Sequence, residues 1–124
     1  MRNKKLWVPL FNNRLRLYDV NSKGFKKIDK KYNVQISKAA GAFCFEKTIK
    51  GYPTVIIVIN KKYYPKEDLA ATIAHEAVHA VNFIFIMKGL IADRYNDEAQ
   101  AYLTGWIVRE CHKFFKHKRR NYEK

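Results

Sequence analysis

Cysteine is scarce in this chain. Cys44 and Cys111 are the only two among 124 residues, and neither has a Cys-x-x-Cys partner. Two thiols do not form a disulfide framework in a chain that can bury a core, so a reducing compartment is the expected setting. Long apolar runs are missing as well. After the basic start Met1–Lys5, the stretch Leu6–Phe11 is interrupted by Pro9 and followed by Arg14 and Arg16, which is too short for a signal-peptide core. The longest run, Ala80–Met87, falls far below the length of a membrane span. A soluble, cytoplasmic protein without a membrane span is the expectation. No internal repeat or low-complexity linker divides the sequence, so residues 1–124 read as one domain with a basic tail that frays from about Lys116.

Acidic residues are also few. Asp and Glu total 11 against 25 Lys and Arg, a net charge of +14. Such an excess favours nucleic acid, an anionic membrane or an acidic protein as partner, or serves only to keep the surface solvated. Lys26-Lys27, Lys30-Lys31, Lys61-Lys62 and the cluster Lys116, Lys118, Arg119 and Arg120 lie among Tyr and Phe residues, as in many nucleic-acid-binding surfaces. No helix-turn-helix, zinc-finger or RNA-recognition signature accompanies them. What is abundant is core material: 48% of residues are hydrophobic and 15% aromatic, which excludes a disordered tail protein.

The patterning predicts an α+β domain. Leu6–Phe11 and Leu15–Val20 read as short strands around the turn Asn12-Asn13, and Ser22–Asn33 as a basic amphipathic helix. Gly41–Glu46 and Thr54–Asn60 read as strands joined by a turn at Lys50-Gly51 and Pro53; the β-branched run Val55–Ile59 is the strongest strand signal. Pro65 opens a helix, with Glu67 and Asp68 favourably placed in its first turn, and Gly89 stops it near Met87. A second long helix is expected from about Asn96 to Phe115.

Between Leu69 and Met87 only Thr72, His75, Glu76, His79 and Asn82 are polar. On a helix they share one face, an arc of roughly 120°. A helix otherwise this apolar belongs in a domain core, where two imidazoles and a carboxylate need partners. Hydrogen bonds or a solvent cleft would satisfy them, and so would a zinc ion. His75 and His79 are one turn apart, so both ring nitrogens can reach one ion. Glu76 flanks the pair and is placed to take a proton from a zinc-bound water. His-Glu-x-x-His on a helix is a moderately specific pattern.

Zinc needs a further protein donor. Phe85 occupies the place where a third His would follow six residues after His79, and His112 lies about 21 Å along the second helix from Glu98. Asp93, Asp97 and Glu98 therefore compete. Glu98 is preferred for its longer side chain at the start of a helix that can pack beside the first, with Tyr102 and Gly105 below it on the same stripe. Gly105 suggests a close approach of the two helices.

His75-Glu76-x-x-His79 followed by Glu98 resembles the gluzincin metallopeptidases, and Asn96-Asp97-Glu98-Ala99-Gln100-Ala101-Tyr102 is similar to the stretch around their third ligand. The size is similar to that of the single-domain minigluzincins. A weaker likeness is to the antirepressor-cleaving metallopeptidases of mobile elements. The motif-bearing part spans Thr54–Arg109.

The resemblance implies a small zincin-like domain, with a short, mostly antiparallel sheet packed on a buried active-site helix and a following glutamate helix. It implies zinc on His75, His79 and Glu98, and hydrolysis of a peptide or protein substrate by a Glu76-activated zinc-bound water. An edge strand, for which Thr54–Asn60 is the candidate, would align the substrate. Two departures stand out. The chain leaves no room for the second domain that supplies an oxyanion donor in larger gluzincins, and Tyr102 stands where an acidic residue often orients a ligand His. Tyr63, Tyr64, Tyr95 and Tyr102 are the candidates for the oxyanion role, beside a simple packing role. The alternative function is a basic nucleic-acid-binding or interaction module with a structural or non-catalytic metal site.

Overall fold

In the computed structural model, residues 1–35 and 41–116 are described. The elements run β1 (Arg2–Val8), β2 (Asn13–Asp19), α1 (Ser22–Tyr32), β3 (Ala42–Ile49), β4 (Tyr52–Ile59), a 3-10 turn (Lys61–Tyr63), α2 (Lys66–Met87) and α3 (Glu98–Phe115). The domain is α+β. Its four strands form one sheet in the order β1-β2-β4-β3. β1 and β3 pair antiparallel with their neighbours, whereas β2 and β4 run parallel; the crossover between these two carries α1 and β3.

Local chemistry explains most boundaries. The Asn21 side chain caps α1 by accepting from the Gly24 amide at 2.8 Å, and Asn33 ends it in the left-handed conformation. Lys50 and Gly51 both have positive φ, 51° and 83°, the two-residue turn whose twist matches a β3–β4 hairpin. Pro53 is not part of that turn; it lies within β4 opposite Thr48. α2 begins directly after Pro65 and ends where Gly89 adopts φ 69° and the Leu90 amide donates to the Phe85 carbonyl at 2.8 Å.

Two apolar layers cover the sheet. On one face Leu15, Leu17, Val55, Ile57 and Ile59 pack against Ile73, Ala77, Ala80 and Ile84 of α2 and Leu103, Ile107 and Phe115 of α3. On the other, Tyr18, Ile56, Val58 and Phe45 pack against Ile28 of α1. β4 is therefore buried on both sides, from Val55 through Ile59. Each such side chain contributes about 1.5–3 kcal/mol of transfer free energy.

Two expectations change here. Thr54–Asn60 falls in the central strand β4, not at an edge; the edge strand beside α2 is β3. The Gly105 expectation fails too, because a methyl group added there would meet nothing within 4 Å. The run Ala80–Met87 is too short for a membrane span, and within the 22-residue α2 an 18-residue window reaches a mean hydropathy of 1.5, as the core helix of a soluble protein also can. The core face of α2, Leu69, Ile73, Ala77, Ala80, Val81, Ile84 and Phe85, is buried within the domain.

Candidate metal centre and cleft

α2 is buried along one face only, and polarity alone does not divide it: Glu76 is buried, whereas Val78 and Ile86 are exposed. Ile73, Ala77 and Ala80 point into the core, while His75 and His79 are exposed one turn apart. Their Nε2 atoms lie 3.2 Å from each other. Two nitrogens bound to one tetrahedral zinc at 2.0–2.1 Å would stand about 3.3 Å apart. The spacing also suits a hydrogen bond between a donor ring and an acceptor ring. The donor type and separation fit a metal for these two ligands.

Glu76 sits between them in sequence but faces inward and is only 6% exposed. Burial raises its carboxyl above the usual range, against the opposing pull of His75 and His79. A raised carboxyl still open to a cleft is suited to accept a proton. The cleft has a volume of about 490 Å³ and is lined by Gly41, Ala42, Tyr64, Thr72, His75 and Glu76. The beginning of β3 thus borders the same space as the α2 polar stripe.

Glu98 is not gathered with the pair. Among the described residues, no set of three or more His, Cys, Asp or Glu side chains converges on a common point. Glu98 is the exposed first residue of α3, and Tyr102, one turn on, is 54% exposed. Gly105, Arg109 and His112 continue this solvent-facing stripe, while Leu103, Ile107 and Cys111 form the buried one. Every residue from Gly89 to Ala99 is exposed, so no core contact fixes the position from which Glu98 projects.

Of the four tyrosines considered for an oxyanion role, Tyr64 alone lines the cleft; Tyr63 and Tyr95 are 59% and 88% exposed. Burial makes the Tyr64 hydroxyl a weaker acid than a free phenol, and the neighbouring Thr72 side chain opposes this only in part. Gly41 lies directly against the Tyr64 side chain: a methyl group there would collide with the Tyr64 hydroxyl. The sequence carried no signal for this pairing, because Gly41 and Tyr64 meet only through the β3–α2 packing.

No family model, curated protein or solved structure matches the chain.

Proposed function

We propose that this chain is a zinc-dependent metallopeptidase of the gluzincin type, acting on a peptide or protein in the cytoplasm. The observation that supports it most is the convergence of His75 Nε2 and His79 Nε2 at 3.2 Å beside a buried Glu76 that opens on a cleft. His75 and His79 would hold zinc. Glu98 would complete the protein ligands, brought in by the exposed segment that precedes it, since such a segment can shift without disturbing the core. When bound, zinc lowers the pKa of water and polarises a carbonyl.

The rest falls to the chain. Glu76 takes the proton of the attacking water and passes it to the leaving amine. The outer edge of β3, the last strand in the sheet order, receives the substrate as an added strand, the role the sequence assigned to Thr54–Asn60. Tyr64 reaches the cleft from the side and can donate to the oxygen that becomes negative. Both cysteines are free and buried, which agrees with a reducing, cytoplasmic setting.

Elemental analysis tests the proposal on protein purified without chelator or a metal-affinity column. About one zinc per chain is expected, lost in His75→Ala and His79→Ala and weakened in Glu98→Ala. Hydrolysis of an unstructured protein such as casein should disappear with 1,10-phenanthroline and return with zinc. Absence of any transition metal would overturn the reading. Metal content unaffected by both His variants would overturn the ligand assignment.

A further inference from the structure

The sheet face opposite the cleft carries a second set of chemistry. α1 covers only part of it, over Tyr18, Phe45, Ile56 and Val58. Beyond that cover, the strand register lines up one row across all four strands: Trp7 beside Arg14, Arg14 beside Thr54, and Thr54 beside Lys47. The next row begins with Lys5 beside Arg16. Asp19 and Glu46, the acidic residues of the strands, both point to the other face by alternation.

The aromatic residues here are not core. Trp7 is 49% and Tyr52 44% exposed, with ring centroids 6.1 Å apart across β2. The Arg14 guanidinium lies 3.7 Å from the Tyr52 ring centroid and 5.5 Å from that of Trp7. Arg16 is held by the Tyr32 hydroxyl at 3.0 Å. A concavity of about 300 Å³ lies between Lys5, Trp7, Arg14 and Arg16. Beside it, α1 adds Lys23, Lys26, Lys27, Lys30 and Lys31 against a single Asp29.

We infer that this face binds single-stranded nucleic acid, with bases stacked on Trp7, Tyr52 and the Arg14 plane and phosphates held by Lys5, Arg16, Lys47 and the α1 lysines. Charge complementarity calls for a polyanion. The two exposed rings and the guanidinium single out one with flat faces, since unpaired bases stack on aromatic and arginine planes while a duplex hides them. An acidic peptide or anionic membrane would use the lysines and leave the rings without a role. The inference does not depend on the peptidase reading, because none of these residues lines the cleft.

The test is fluorescence anisotropy of the full chain with a fluorescein-labelled 20-nucleotide oligothymidylate, at several salt concentrations. Binding should weaken about tenfold in Trp7→Ala and in Tyr52→Ala. The double variant Lys5→Glu, Lys47→Glu should also bind more weakly, and its log affinity against log salt should flatten by about 1.4. Circular dichroism must match wild type in each, and the lysine pair, Lys5 exposed and Lys47 half-buried, provides a test even if an aromatic variant misfolds. His75→Ala should bind the oligonucleotide as wild type does, which separates this inference from the metal centre. No binding at low salt would overturn it. So would equal affinity for duplex DNA, competition by polyglutamate or phosphatidylserine vesicles at equal charge, or aromatic variants that bind like wild type.

Discussion

Glu76→Gln separates the proposed chemistry from the scaffold that holds it. The amide has nearly the volume of the carboxyl and would occupy the same 6% exposed position, but it cannot accept a proton. A positioned general base contributes about 10²–10⁴ in rate, so kcat should fall by about that factor, or about 3–5 kcal/mol in the barrier. Stability should move differently. Burial is the larger influence on the carboxyl and disfavours its charged form, while the neighbouring His75 and His79 offset only part of that cost. An amide avoids the cost of burying a charge, so the metal-free variant should melt at, or a few degrees above, the wild-type temperature. Three readouts on one preparation check the reasoning: hydrolysis of a fluorogenic peptide, zinc by mass spectrometry, and calorimetry. Activity within tenfold of wild type would remove Glu76 as the base. Lost zinc would make it a ligand. A melting temperature lowered by more than about 10 °C would make it a structural acceptor.

Two further outcomes concern the cleft and the core. Tyr64→Phe and Gly41→Ala, the second by driving a methyl group against the Tyr64 hydroxyl, should each lower peptide hydrolysis at least tenfold with zinc retained; unchanged kinetics in both would reduce Tyr64 to packing. Burial pushes the Cys111 thiol from 9.0 up to about 12 and the Cys44 thiol well above 9.0, so the folded chain should resist thiol reagents at pH 8 until it opens. The folded thiols keep protons that the unfolded chain releases, so stability is retained below pH 9.0 and falls toward pH 12, by up to about 1.4 kcal/mol per pH unit for each thiol. Cys111→Ala should flatten that limb in urea unfolding, and an unchanged slope would refute the assignment.

The features legible in the sequence were those encoded within one turn or one helix. Pro65, Glu67, Asp68 and Gly89 mark α2 because capping and dipole chemistry act locally, and the polar stripe of α2 follows from helical geometry alone. β1 was displaced for a physical reason: it begins at Arg2, and its N-terminal half buries nothing, so its apolar content understates its length. Strand order was not legible. β2 reaches β4 in parallel across α1 and β3, and a run such as Val55–Ile59 records burial on both sides without recording which strands lie beside it. Glu98 was chosen by side-chain length and spacing, but spacing along α3 does not fix rotation about its axis, and the structure turns Glu98, Tyr102 and Gly105 toward solvent.

The same double burial of β4 explains how one small domain can carry two unlike surfaces. The sheet separates the α2 cleft from the cationic, aromatic face. Exposed charges farther apart than the Debye length, about 8 Å at physiological ionic strength, are largely screened. The acidity of Glu76 is governed by burial and by two neighbours on its own helix, His75 and His79. What couples the two faces is the chain's position in space: a polyanion held on the sheet face would concentrate the cleft near proteins bound to that same polyanion, without altering the cleft's intrinsic chemistry.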